Sequence, residues 1–194
     1  MHRMRLTLII LMAGLTATVA VAGVQVGDKA PDFTLTDQNG QRVALSDFAG
    51  KVVVLEWTNP ECPFVKRHYK QGTMKRLAAE YAKQDVVWLT INSTHFMSQD
   101  DNAAFAKANG LTVPVLLDAD GTVGRLYGAK TTPHMFVIDA KGAIEYEGAI
   151  DDDPRGTKDS ATNYVAAALD AVTKGKKPAT AETKSYGCSV KYKG

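Results

Sequence analysis

Val52-Val53-Val54-Leu55-Glu56-Trp57-Thr58-Asn59-Pro60-Glu61-Cys62-Pro63-Phe64 is the stretch on which the fold turns. Its first six residues are rich in β-branched and aromatic side chains, as in a buried strand. The run stops at polar residues and Pro60, then delivers Cys62 to the start of a helix. A thiol there lies near backbone N–H groups without partners and the positive end of the helix dipole. Both favour the thiolate, which is the nucleophile. The blander reading of Cys62 is a structural half-cystine or an inert buried thiol. The other cysteine, Cys188, lies almost at the end of the chain.

Upstream, the N-terminus reads as a leader over residues 1–22. Arg3 and Arg5 form a basic start and Leu6 to Leu15 an apolar run. Ala20-Val21-Ala22 then supplies the small-x-small pattern that a signal peptidase accepts, with cleavage before Gly23. The apolar run is short for a membrane span. No cysteine near the cleavage site offers a lipid anchor, and an uncleaved anchor is the alternative. The expectation is an exported protein, periplasmic or secreted, with no membrane attachment after cleavage. Without Arg3 and Arg5 the basic residues balance the 21 acidic ones. Nucleic acid and anionic membranes are therefore not the expected partners. Export also permits disulfides, and two cysteines in an exported chain are more often paired than free.

Downstream and around this stretch the pattern is α/β. Phe33 to Thr36 and Gln41 to Leu45 flank Asp37-Gln38-Asn39-Gly40, a hairpin signal. Ser46-Asp47-Phe48 suggests a short helical turn closed by Gly50. Pro63 to Lys83 has helical spacing that Gly72 interrupts or kinks. Val86 to Ile91 is a second buried strand. Ser98 and Asp101 form a capping box that opens a helix to about Asn109, closed by Gly110. Val113 to Leu117 is a third strand. A short helical stretch precedes Thr132-Pro133, and His134 to Ile138 with Ala143 to Gly148 form a second hairpin. Tyr164 to Val172 is the last helix. Residues 23–175 form the expected domain and 176–194 a polar tail that carries Cys188.

The order of elements, the opening Val26-Gly27-Asp28-Lys29-Ala30-Pro31-Asp32-Phe33 and the segment ending at Cys62 resemble the thioredoxin-like redoxins. The phrase Trp57 to Phe64 is most similar to the peroxiredoxin-like (AhpC/TSA-related) subgroup with one cysteine at this position. The resemblance spans roughly residues 24–174. It implies a thioredoxin-like fold, a central mixed β-sheet flanked by helices with an added N-terminal β-hairpin. It also implies thiol–disulfide chemistry without a cofactor. Two departures stand out. The second position of a thioredoxin Cys-x-x-Cys is Val65 here, and Cys62 occupies the place of the threonine in the peroxiredoxin Pro-x-x-x-Thr-x-x-Cys.

Within that resemblance, Cys62 is the expected redox-active sulfur, with Lys66 and Arg67 as nearby positive charge. Glu56 interrupts an apolar strand six residues before it, as the buried acid of thioredoxin does. Burial would raise its pKa and suit it to proton transfer; the alternative is a strand-edge acid paired with Lys51. Thr132-Pro133 matches the cis-proline position, where the Thr132 backbone would bind an incoming thiol-bearing strand. His68, His95 and His134 raise a copper reading, but Lys66 stands where the second cysteine of that motif belongs, and no metal is expected. Asp151-Asp152-Asp153 reads as a solvated loop.

Cys188 separates the mechanisms. With Cys62 it forms either a resolving pair or a permanent staple. The first makes the protein a thiol-disulfide oxidoreductase whose partners are disulfide-bearing proteins or small thiol reductants, with hydroperoxide as a further substrate. The second makes it a redox-inert binding or chaperone module.

Overall fold

Val53 to Thr58 form an interior strand of the sheet, and all six residues are buried. The computed structural model describes residues 23–194; the leader expected over residues 1–22 lies outside the described residues. The strands are β1 (Thr34–Thr36), β2 (Arg42–Ala44), β3 (Val53–Thr58), β4 (Val87–Asn92), β5 (Val115–Leu117), β6 (Thr131–Thr132), β7 (His134–Ile138), β8 (Ile144–Gly148) and β9 (Cys188–Ser189). The helices are α1 (Pro63–Lys70), α2 (Thr73–Ala82), α3 (Gln99–Asn109), α4 (Thr122–Tyr127) and α5 (Tyr164–Val172).

Seven strands make one mixed sheet in the order β2-β1-β5-β4-β3-β7-β8, and β6 pairs with β9 separately. β3 runs parallel to β4 and antiparallel to β7. Successive β3 side chains therefore face opposite core layers. Val54 joins Val65, Tyr69, Leu77, Met135 and Leu169 in a layer that draws on α1, α2 and α5. Leu55 and Trp57 join Tyr127, Phe136 and Leu116 in the layer that includes α4. Each such large side chain contributes about 1.5–3 kcal/mol on burial. This is the thioredoxin-like fold, with β1 and β2 as the added hairpin.

The helical run expected from Pro63 to Lys83 is two helices. Gly72 has φ +71°, a left-handed conformation that a glycine adopts at little cost, and it starts α2 afresh. β5 begins at Val115 rather than Val113, after Pro114, whose nitrogen cannot donate to a ladder. The Ser98–Asp101 capping box forms on both sides. Beyond α5 the tail returns across the sheet: Glu182 bridges to Glu147, Val190 is buried, and the Tyr192 hydroxyl donates to the Ala129 carbonyl at 2.8 Å.

Candidate active site

Asn59 builds the turn between β3 and α1. Its side chain accepts from the Glu61 N–H at 2.8 Å and its carbonyl from the Cys62 N–H at 2.9 Å. Cys62 becomes the N-cap of α1 with extended backbone, followed by Pro63 in the first turn, where the missing N–H costs nothing. The thiol is buried and donates to the Thr132 carbonyl at 2.9 Å. The Thr132–Pro133 peptide bond is cis.

The opposite wall comes from the tail. β9 runs antiparallel to β6, pairing Thr131 with Ser189 and Thr132 with Cys188. Cys188 therefore meets the same residue that receives the Cys62 thiol. Both cysteines are free thiols. Burial pushes the Cys62 thiol up, but a hydrogen bond from Cys188, with a smaller contribution from the Val65 N–H, leaves it below the ordinary value. Cys188 is pushed up, by burial first and then by its bond to Cys62 and the charge there. The thiolate is thus favoured at Cys62 and disfavoured at Cys188. Gly187 makes the approach possible: its φ is +138°, and a Cβ there would collide with the Thr132 carbonyl.

A socket for the tail escaped the sequence reading. Tyr186 donates to the Asp151 carboxylate, lies 3.0 Å from His68 Nε2, and packs its ring 6.0 Å from that of Phe64. Arg67 donates to the carbonyls of Asp153 (2.9 Å) and Pro154 (2.8 Å), so it braces this loop rather than facing the thiol. Burial holds His68 below its usual value, the Asp151 charge opposing. The loop Asp151-Asp152-Asp153 is accordingly not solvated as expected. Asp151 and Asp153 are buried, and the Asp153 carboxylate accepts the Thr157 and Lys158 N–H groups, both at 3.0 Å. His134 Nδ1 accepts from the Lys130 N–H at 3.3 Å, and burial pushes its pKa down to about 4.

Glu56 is fully buried on the face of β3 that carries Val54. Its oxygens accept from Tyr69 (2.9 Å) and Trp88 Nε1 (2.8 Å), not from either thiol. Burial pushes its pKa up to about 7 against those bonds. The alternative pairing with Lys51 fails, because Lys51 binds Asp85 at 2.8 Å. Thr58, two residues on along the same face, has a buried hydroxyl without a partner.

The structure thus brings Cys62, Cys188, Thr132 and Pro133 together and sets Glu56 apart from them. The AhpC/TSA family model matches residues 26–147. The chain belongs to the AhpC/TSA family. It is similar to the thiol-disulfide oxidoreductase ResA of Geobacillus thermodenitrificans (strain NG80-2), 32% identical over 144 residues, covering 71% of this chain and 80% of that protein. It is also similar to the thioredoxin-like protein YneN of Bacillus subtilis (strain 168), 33% identical over 124 residues, covering 63% of this chain and 71% of YneN. Among solved structures, a hypothetical protein from Sinorhizobium meliloti 1021 superposes with TM-score 0.81 at 31% identity, covering 89% of this chain and 97% of that one. A putative thiol:disulfide interchange protein DsbE from Chlorobium tepidum gives TM-score 0.58 at 30% identity, covering 64% of this chain and 85% of the other. In this AhpC/TSA family member Glu56, Cys62, Thr132 and Pro133 fall within the matched residues and Cys188 outside them. No described helix is long and apolar enough to cross a membrane.

Proposed function

We propose that the protein is an exported thiol-disulfide oxidoreductase in which Cys62 is the attacking thiol and Cys188 its resolving partner. The single observation that carries this reading is the register that sets Cys188 opposite Thr132, whose carbonyl receives the Cys62 thiol. The names of the ResA relatives support the same class of reaction. The Cys62 thiolate attacks one sulfur of a partner's disulfide, forming a mixed disulfide and expelling the other sulfur as a thiolate, which takes a proton. The Cys188 thiol then loses its proton and attacks the Cys62 sulfur. The Cys62–Cys188 bond forms, the second partner sulfur leaves, and two electrons have passed to the partner. An external thiol reductant resets the pair. Thr132 and Pro133 supply the backbone against which the partner's sulfur is presented. Glu56, whose pKa burial raises to about 7, is the carboxyl suited to take up and return protons.

Disulfides are the preferred substrates over hydroperoxides. The peroxidatic slot of the family holds Val65, a fully buried apolar side chain. A peroxide would otherwise convert Cys62 to a sulfenic acid that Cys188 condenses with, releasing water.

The test is turnover of a protein disulfide with dithiothreitol as reductant. Cys62→Ser should lose activity by about a thousandfold or more, as expected when the nucleophile is removed. Cys188→Ser, reduced and then freed of dithiothreitol before it meets the substrate, should stop as a mixed disulfide visible by mass. Equal turnover by wild type and Cys62→Ser would leave the binding-module reading standing instead.

A further inference from the structure

We propose that the C-terminal strand β9 sits on the edge where a cysteine-bearing strand of a partner protein pairs, so that tail and partner exclude one another. Tyr186 is the positioning residue that holds the tail in place. The inference rests on the reading of Cys62 as the attacking thiol and goes beyond it by identifying what covers that thiol.

Among the described residues β6 has one pairing partner, and it is the chain's own tail. Beside the Thr131–Ser189 and Thr132–Cys188 pairs, the Val190 N–H donates to the Lys130 carbonyl at 3.1 Å. Lifting the tail opens a row of backbone groups from Lys130 to Thr132, a template on which another extended strand can pair. A strand in the same register presents its side chain opposite Thr132 to Cys62, the place that Cys188 now takes. One edge cannot hold two strands. The recognised partner is therefore an extended, cysteine-bearing segment of a protein.

The tail is held by a built socket, not by β9 alone. Tyr186, two residues before Cys188, donates to Asp151 and lies 3.0 Å from His68 Nε2 and 3.5 Å from Arg67 Nη2. Its partners come from α1, the helix that Cys62 caps, and from the loop after β8. The His68 ring is buried, and its other nitrogen stands 4.0 Å from Asp151 with no hydrogen bond. Upstream, Thr183 Oγ1 accepts from the Ala149 N–H at 2.9 Å.

The cycle then alternates strands. The tail lifts, the partner strand takes the edge, and the Cys62 thiolate attacks its sulfur. The Cys62–partner bond forms and the partner's other sulfur leaves as a thiolate. Re-docking of β9 brings the Cys188 thiolate onto the Cys62 sulfur. The mixed disulfide breaks, the Cys62–Cys188 bond forms, and the partner strand is expelled with its second thiolate. The tail is both competitor and resolving arm.

Tyr186 should therefore affect the two steps in opposite directions. The experiment uses the full chain with Cys188→Ser, which cannot resolve. The probe is an extended peptide whose one cysteine is disulfide-bonded to 2-nitro-5-thiobenzoate, so capture by Cys62 releases a coloured thiolate. Adding Tyr186→Ala should speed capture about tenfold, the scale of losing hydrogen bonds to charged groups. A synthetic peptide of residues 182–192 with serine at 188 should slow it again in trans. With Cys188 present, Tyr186→Ala should instead slow expulsion of the captured peptide. Tyr186→Phe, which keeps the ring and so the packing, should shift both rates the same way by less, and it carries the comparison if the alanine variant does not fold. Capture rates within twofold of one another in folded variants that still react with 5,5′-dithiobis(2-nitrobenzoate) would overturn mutual exclusion alone. Failure of every folded variant to react with either disulfide would overturn the thiol reading beneath it.

Discussion

At the Glu56 carboxyl, burial and hydrogen bonding pull in opposite directions. Two donors, Tyr69 and Trp88, favour its charge, while exclusion of water favours the proton and wins, lifting the pKa to about 7. A folded pKa above the unfolded 4.5 means that the native state keeps a proton the unfolded chain has released. This contribution to stability is full below pH 4.5 and falls as pH rises towards about 7, by about 3 kcal/mol in total. Glu56→Gln should remove that dependence. Denaturant titrations at pH 4.5 and 7.5 check it: wild type should lose stability over the interval relative to the variant. His134 acts with the opposite sign. Its pKa of about 4 lies below the unfolded 6.5, so its contribution is lost as pH falls from 6.5 to about 4. His134→Gln should remove that loss in the same titration. The single-residue signals in the sequence were strong where one side chain decides its own environment. A carboxylate inside Val52 to Trp57 pointed to burial and a raised pKa, with a surface pair to Lys51 as the alternative, and the burial is what the fold shows. The hydrogen-bond partners of Glu56 were not legible, since Trp88 reaches it from the neighbouring strand.

At the scale of elements, local chemistry carried furthest. Ser98 and Asp101 cap α3 by contacts within one turn, and α5 ends where its apolar spacing ends, so both were readable. The break between α1 and α2 was readable as an alternative, because Gly72 alone fixes it. The socket of Tyr186 was not. Its partners His68 and Asp151 lie 118 and 35 residues away in sequence, and no local pattern joins them. The three aspartates there looked like a solvated loop because their N–H donors, such as those of Thr157 and Lys158, are backbone groups of ordinary residues. Gly187 is the element-scale test. A side chain at a left-handed backbone angle facing the Thr132 carbonyl should lift β9, at a cost of about 1–3 kcal/mol. Gly187→Ala should therefore slow formation of the Cys62–Cys188 bond about tenfold or more. Faster exchange of the Val190 amide with deuterated solvent should accompany it.

Across the whole molecule, the two cysteines close a loop of about 126 residues. In the chain-entropy account such a bond stabilises the fold by about 4–5 kcal/mol, through the unfolded chain. Oxidised protein should therefore resist denaturant more than reduced protein, with the difference lost in Cys188→Ser. That stabilisation alone does not separate a resolving pair from a staple, because both link the same sulfurs. The reduction potential does. Equilibrating the protein in thiol–disulfide buffers of graded potential, trapping free thiols and mapping the linkage by mass gives it directly. A single Cys62–Cys188 bond that forms and opens reversibly at a potential above about −300 mV is the predicted result. A bond that stays closed to below that value, or two thiols that never pair, would contradict it.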